Sequence, residues 1–278
     1  MIKTILDEEI NHVIAKQIQQ LGKMYLLVDP QINDNFFFDN YFEFETIVPI
    51  RDRQDTVSQD HECLQLCAIP KQATYIKQLI IEIKNKKSAA IALIASPYSI
   101  KYIQNHLSNA MLMSYNGNNY LLRFYDPQVL KHLIEILNEK QLNNLLGCIE
   151  YWYYWQDIYT QLHHKPELIL SDIQYQLSPK QWIKIEIAQV YNAYEYQLVK
   201  QQQKPLSNTE QCTLKKLLDW IYRVTFYRPK QQKMDVIIHY AMAQPEQFFR
   251  KINDDLLFEL MTNQNINQIE QYLENLEW

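Results

Sequence analysis

The chain has 278 residues, enough for one large domain or two smaller ones whose cores need no disulfide or metal. Its formal net charge of -5 gives no general attraction to nucleic acid or to an anionic membrane surface. Only three glycines occur, and they lie too far apart to share a loop. This argues against the glycine-rich phosphate-binding loops of dinucleotide-binding and P-loop enzymes.

The four cysteines are interpreted as free thiols in a reducing cytosol. His61, Cys63 and Cys67 could be drawn as metal ligands, but the segment from Cys63 to Cys67 is typical of a strand. Residues four apart on a strand are separated by about 13 Å, too far for both thiolates to bind one ion.

The N-terminal residues lack the apolar stretch of a signal peptide, and no apolar run is long enough to span a membrane. We therefore expect a cytoplasmic protein without metal or cofactor.

Apolar periodicity predicts alternating helices and strands up to about residue 165. In chain order, these are a helix over 7–21, strands over 23–29, 41–48 and 63–69, a helix over 73–83 and a strand over 89–95. A helix opened by Ser96-Pro97 follows, and then a hairpin over 110–125. The Asn116-Gly117 turn of this hairpin places Met113 opposite Tyr120. The aromatic segment 148–162 is predicted to form a last hairpin.

Two Asp-Pro pairs follow apolar runs, at Asp29-Pro30 and at Asp126-Pro127. After Asp126, apolar residues continue at helical spacing, so the sequence predicts that Asp126 is the N-cap of a helix and Pro127 its first residue. Asp29 is less clear, because the helical pattern after it is weaker. Catalytic use of either carboxylate is the alternative.

From Ser178 onward the pattern is helical throughout. Capping boxes at 178–181 and 207–210 each predict the start of a helix, and further helices are predicted over 234–242, 246–260 and 265–276. The predicted fold is α+β, with a mixed α/β domain and central sheet over 1–165 and an all-α domain over 166–278.

A search for chemistry finds no catalytic constellation. There is no G-x-S-x-G or H-E-x-x-H motif. His106 is interpreted as a cation favoured by a helix C-terminus, and His163-His164 as loop residues in solvent. One basic turn around 222–233 is too little to predict nucleic-acid binding. These residues predict no enzyme. The alternative is a hydrolase, or a secreted toxin, that uses Asp29 and Asp126.

The central segment, residues 24–156, resembles the type VI secretion effector-adaptor family, also called effector chaperones. The resemblance rests on Arg123-Phe124-Tyr125-Asp126-Pro127 with Val129-Leu130 after a hairpin, on Ser96-Pro97 and His106-Leu107, and on Asp29 at an early strand end. Gln128 and Ser108 depart from the family pattern, which commonly has a basic residue at both positions.

The resemblance implies a cytoplasmic, non-catalytic protein that binds a toxin effector and helps load it onto the secretion spike protein. It also makes Asp29 the best candidate to pair with Arg123. The helical domain has no motif that aligns, so we expect it to supply much of the cargo-binding surface. Aromatic residues are favoured in interfaces, and the candidate partner-binding residues are Trp152, Trp155, Tyr191, Tyr194, Trp220, Tyr222 and Tyr227. The alternative is that these rings fill the cores.

Overall fold

The chain divides between Ser178 and Pro179 into an α+β unit and an all-α unit. The computed structural model describes residues 2–6, 8–21, 23–32, 43–51, 60–70, 73–84, 89–115, 117–156, 158–167, 177–225 and 229–276. The predicted domain boundary at residue 165 falls within the last segments of the first unit. The predicted fold class is confirmed.

The first unit contains nine strands, five α-helices and a 3-10 turn at Asp60–Glu62 among its described residues. The strands are β1 (Ile2–Ile5), β2 (Met24–Val28), β3 (Thr46–Ile50), β4 (Leu64–Ala68), β5 (Ala90–Ala95), β6 (Leu112–Tyr115), β7 (Asn118–Leu121), β8 (Tyr151–Gln156) and β9 (Ile158–His163). The helices are α1 (Ile10–Leu21), α2 (Ala73–Lys84), α3 (Ile100–Ala110), α4 (Pro127–Ile136) and α5 (Glu139–Leu146).

Seven of these strands form one sheet in the order β1-β9-β8-β5-β2-β4-β3, and β6 and β7 form a separate hairpin. Every neighbouring pair in the large sheet is antiparallel. The central strand β5 is buried along its whole length, as its unbroken apolar sequence predicts. Helices therefore have to cover both faces of the sheet centre.

Strand alternation sorts the core into two layers. On one face, Leu26 lies opposite Leu93, and Leu93 lies opposite Tyr153. These three side chains share a core with the apolar faces of α1 and α2. On the other face, Ile94 lies opposite Trp152, and the Trp152 ring contacts Phe124, just before α4, at 5.8 Å between ring centroids.

The β3 edge of the sheet is closed by α3. Pro49 has no N–H to offer, and its carbonyl accepts a hydrogen bond from Gln104 Nε2 at 2.6 Å. The Ser108 hydroxyl donates to the carbonyl of Arg51. Side chains of one helix therefore occupy backbone groups that would otherwise be open to strand pairing.

Most predicted elements of this unit are confirmed. The hairpin register places Met113 opposite Tyr120, as predicted, although Asn116 lies outside the described residues. One prediction is wrong in detail, and one strand has no counterpart among the predictions. Ser96 does not open α3, because its N-cap position is held by Ser99, without a side-chain cap. Strand β1 was not predicted, since four residues give too little periodicity to recognise.

The second unit is built from six helices among its described residues. They are α6 (Pro179–Gln202), α7 (Asn208–Thr225), α8 (Gln231–Ala243), α9 (Pro245–Lys251), α10 (Asp254–Thr262) and α11 (Ile266–Glu274). The core combines residues from all six, including Ile187 and Val190, Leu214, Leu217, Leu218 and Ile221, Met234 and Ile237, Phe248, Leu257 and Leu260, and Ile269 and Leu273.

Helices of this unit that begin after Ser207, Asn253 and Asn265 start with side-chain caps. The Ser207 hydroxyl accepts from the Glu210 backbone N–H at 3.3 Å, and the Ser207 N–H donates to the Glu210 carboxylate at 2.7 Å, so the predicted capping box is confirmed. The single helix predicted over 246–260 is wrong. The Asn253 side chain accepts from the Leu256 N–H at 2.9 Å and starts α10 as a separate helix.

No helix among the described residues has the length and apolar character needed to cross a membrane.

Candidate functional site

Asp29 and Arg123 meet at the ends of two strands. Asp29 directly follows β2, and its backbone N–H donates to the carbonyl of Ala89 at 2.8 Å. Arg123 comes two residues after β7. Its Nη2 donates to Asp29 Oδ2 at 2.8 Å, although the residues are 94 positions apart. The pairing predicted from the resemblance is confirmed.

The two partners of this ion pair are buried to different extents. The Asp29 side chain is 4% exposed and that of Arg123 is 39% exposed. Burial raises the pKa of Asp29, while the Arg123 charge and the Gln31 N–H, which donates at 3.1 Å, act in the opposite direction. Both Asp29 oxygens are therefore engaged within the protein. The Arg123 guanidinium also lies 5.7 Å from the Tyr125 ring centroid, and burial raises the pKa of Tyr125 to about 12.

Asp126 is the N-cap of α4. Its backbone is extended, with φ -69° and ψ 122°, and its carboxylate accepts from the Gln128 N–H at 2.8 Å. Pro127 occupies the first helical position, where no N–H is needed. The predicted cap is confirmed. Five successive residues thus have separate tasks, since Arg123 pairs with Asp29, Phe124 and Tyr125 are buried, and Asp126-Pro127 starts a helix.

Replacement of Asp126 with alanine should lower the free energy of unfolding by about 1 kcal/mol, the usual cost of losing an N-cap. Asn accepts the same hydrogen bond, so Asp126→Asn is the matched control and should retain most of the stability. Chemical denaturation measures both. A variant Asp126→Ala with full stability would contradict the capping role.

A second cluster joins α3 to the connection between α5 and β8. The Ser96 hydroxyl donates to the carbonyl of Cys148 at 2.6 Å and accepts from the Tyr98 N–H at 3.1 Å. His106 Nε2 lies 2.9 Å from the carbonyl oxygen of Leu145. Ser96, which precedes α3, and His106, in its C-terminal half, therefore both hold this helix against one segment.

Gly147 allows this close packing. It has φ +51°, and a Cβ there would lie 2.1 Å from His106 Cε1. On the same turn, His164 Nε2 lies 3.2 Å from the Gly147 carbonyl oxygen. Burial lowers the pKa of both histidines, which favours neutral rings that donate through Nε2–H. The interpretations of His106 as a cation at a helix end and of His164 as a solvent-exposed loop residue are wrong.

The Asp29–Arg123 pair and the Asp126 cap lie within a segment that matches a known family. Residues 24–144 match the domain of unknown function DUF4123. This family is associated with type VI secretion effector adaptors. The match covers somewhat less than half of the chain and ends before β8. Comparison with curated proteins and with solved structures gives no match.

Gln128 and Ser108, the two residues of the DUF4123 segment that depart from the expected pattern, both make hydrogen bonds within the protein. Gln128 is exposed, and its side-chain oxygen accepts from Lys131 Nζ at 2.6 Å on the next turn of α4. Ser108 donates to the carbonyl of Arg51 beside β3. Neither position therefore supplies the positive charge that the family pattern commonly has.

The candidate partner-binding residues divide into two groups. Trp152, Tyr191, Tyr194 and Tyr222 are at most 6% exposed and belong to the cores of their units, so their assignment to an interface is wrong. These rings fill the interior, where large aromatic side chains bury the most apolar area. Trp155 and Trp220 are half-buried and remain candidates. Tyr227 lies outside the described residues.

No metal site is found in the described part of the chain, where no three His, Cys, Asp or Glu side chains are grouped to hold an ion. Cys63 and Cys67 are buried, and burial raises the pKa of the Cys67 thiol. A buried thiol of this kind is a poor metal ligand, since the thiolate is the binding form. The side chain of His61 lies outside the described part.

Proposed function

We propose that the protein is a non-catalytic, cytoplasmic adaptor that binds a toxin effector of a type VI secretion system and helps load it onto the spike protein. The observation that carries this proposal is the match of residues 24–144 to a family associated with such adaptors. The matched segment contains Asp29 and the Arg123–Pro127 signature, which organise one local structure.

The geometry around the two aspartates argues against their use in hydrolysis. A raised carboxyl pKa, as at Asp29, is also found in general acids. However, its oxygens already accept from Arg123 and from the Gln31 N–H, and the Asp126 carboxylate accepts from the first turn of α4. Each carboxylate has a structural partner that explains its position.

The proposal assigns different tasks to the two units. The α+β unit, which contains the DUF4123 match, would hold the shared architecture or contact the spike. The helical unit, which lies beyond the match, would contact the effector, because cargo differs between secretion systems. Adaptors of this kind need a surface with apolar anchors and a polar rim, rather than a catalytic cleft.

Deletion of the gene in its native host should abolish secretion of one effector and leave secretion of the spike protein intact. Complementation with the wild-type gene should restore secretion, and so should the double variant Asp29→Asn/Asp126→Asn if it remains folded. The purified protein should form a complex with that effector. Undiminished effector secretion in the deletion strain would overturn the proposal, and toxicity that depends on Asp29 and Asp126 would favour the hydrolase.

A further inference from the structure

Two buried histidines from distant parts of the chain meet where α5 ends. His106 lies in the C-terminal half of α3, and His164 directly follows β9. Only 7% of His106 and 8% of His164 is exposed. His106 Nε2 lies 2.9 Å from the carbonyl oxygen of Leu145, and His164 Nε2 lies 3.2 Å from that of Gly147. Because a carbonyl oxygen only accepts, each ring carries a proton on Nε2 and donates it. The two rings form a histidine cluster with Leu145 and Gly147.

Backbone contacts hold both rings of the histidine cluster in place. A Cβ on Gly147 would lie 2.1 Å from His106 Cε1, so this ring packs directly on the backbone of the turn. The backbone N–H of His164 donates to the carbonyl of Glu150 at 3.0 Å, and the Gly147 carbonyl also accepts from the Glu167 N–H at 2.9 Å. The rings are close enough for a charge on His164 to lower the pKa of His106, in addition to the larger effect of burial. Protonation of both rings therefore places two like charges in one buried cluster.

The surroundings of the histidine cluster favour neutral rings. Burial lowers the pKa of both histidines. Glu167 favours the charged form of His164, but Glu167 is exposed and solvent screens its charge. His163 and the chain's amino terminus act against the charged form.

The other groups that the structure describes on these segments add little charge to the histidine cluster. Burial raises the pKa of the Cys148 thiol to about 12, so this group is neutral. The Glu150 carboxylate acts on the phenols of Tyr151 and Tyr153. The charged side chains of α3, of α5 and of the segment after β9 that are exposed are Lys101, Glu139, Lys140 and Lys165.

The same part of α3 also closes the β3 edge of the sheet. Gln104 lies two residues before His106 and donates to the carbonyl of Pro49. Ser108 lies two residues after His106 and donates to the carbonyl of Arg51. Loss of the contact between His106 and the end of α5 therefore loosens a helix that covers backbone groups at this edge.

We propose that His106 and His164 form an acid-sensitive latch, which holds α3 to the end of α5 while both rings are neutral and releases it when both take up a second proton. The second proton goes to Nδ1 and brings a positive charge into a cluster that is built for neutral donors. Because the folded protein binds these protons less tightly than an open chain does, the contact is strongest above about pH 6.5 and weakens as the pH falls below this value. The latch is a property of the fold and does not depend on the proposed function.

The test is backbone hydrogen exchange of the full-length protein near pH 7.5 and near pH 5.5, read by mass spectrometry and corrected for the intrinsic exchange rate. Protection of α3 in the wild type should fall between the two pH values by about tenfold for each histidine, since a ring freed by opening takes up a proton below about pH 6.5. Protection of α2 is the internal reference and should fall less.

The double variant His106→Gln/His164→Gln keeps a side-chain N–H donor at both positions but does not titrate, so its α3 protection should change little with pH. His12→Gln, at an exposed histidine of α1, is the matched control and should respond like the wild type. A fall in α3 protection of equal size in the wild type and in the double variant would overturn the latch. So would a wild-type α3 that loses no more protection than α2.

NMR titration of the imidazole resonances decides the question in the folded wild type, independently of whether the double variant folds. Both rings of the histidine cluster should titrate below about pH 6.5. Replacement of one histidine with glutamine should raise the titration midpoint of the other, because a like charge is removed. Titration of either ring at or above about pH 6.5, or a midpoint that the neighbouring replacement leaves unchanged, would refute the latch.

Discussion

Replacement of Gly147 with alanine should lower the free energy of unfolding of the α+β unit by about 3 kcal/mol or more. The added Cβ would lie 2.1 Å from His106 Cε1 and 2.6 Å from His106 Nε2, well inside van der Waals contact. His106 cannot withdraw cheaply, because its Nε2 donates to the buried carbonyl of Leu145. Backbone strain at φ +51° adds to the cost.

Gly117 is the matched control, since it also has a positive φ, +77°, but no atom lies within 4 Å of the Cβ it would gain. Gly117→Ala should therefore cost only the strain, about 1 kcal/mol. Adding His106→Ala to Gly147→Ala removes the overlap, so the double variant should be less destabilised than the sum of the two single variants. Urea denaturation measures all four proteins. Equal costs for the two glycine replacements would show that the overlap with His106 is not the cause.

Arg123→Ala should also destabilise the α+β unit strongly, by about 3 kcal/mol at pH 7, because it leaves the buried Asp29 carboxylate without its partner. Asp29→Ala should cost less, since the freed Arg123 is 39% exposed and can reach water. Asp29→Asn should partly rescue Arg123→Ala, because a neutral amide tolerates burial better than a charge. The exposed pair Arg223–Asp254, with side chains 68% and 63% exposed, supplies the control. Arg223→Ala should cost no more than about 0.5 kcal/mol.

The Arg123 variant should show a characteristic pH dependence. Burial already raises the pKa of Asp29 in the folded protein, and loss of Arg123 removes a charge that opposes this rise. The folded state then binds the Asp29 proton more tightly than the unfolded chain does, so stability falls as pH rises through the pKa of this group. The difference in unfolding free energy between wild type and Arg123→Ala should therefore be small near pH 4 and larger at pH 7. A difference that does not change with pH would contradict the ion-pair account.

Local signals in the sequence predict much of this structure. Asp126-Pro127 and the Ser207–Glu210 box mark helix starts correctly, because a cap is satisfied by backbone groups only a few residues away. The apolar run of β5 predicts a strand buried on both faces, because every residue in it is apolar. The Asp29–Arg123 pair is different. Its partners are 94 residues apart, and it could be predicted only through the resemblance to a family.

The failed predictions share a physical cause, which is that their deciding contacts are distant in sequence. Ser96-Pro97 has the local appearance of a cap, but the Ser96 hydroxyl donates to Cys148, 52 residues away. The approach of His106 to Gly147 likewise depends on how two helices pack. Tyr191 and Tyr194 were candidates for an interface because tyrosine serves equally well in a core and on a surface, and composition alone does not separate these cases.

The strand order of the large sheet has a consequence for how the chain folds as it is synthesised. Among the strands that the structure describes, β1 hydrogen-bonds only to β9, with Ile2 opposite Leu162 and Ile5 opposite Tyr159. β1 lies far ahead of β9 in the chain, so it cannot pair until β9 has been synthesised, and closing that long loop costs entropy before any pairing is gained. β2, β4 and β5 can pair among themselves much earlier. We expect the sheet to grow outward from this centre, with β1 adding last, so that the nascent α+β unit exposes an unpaired β9 edge only briefly at the end of its folding.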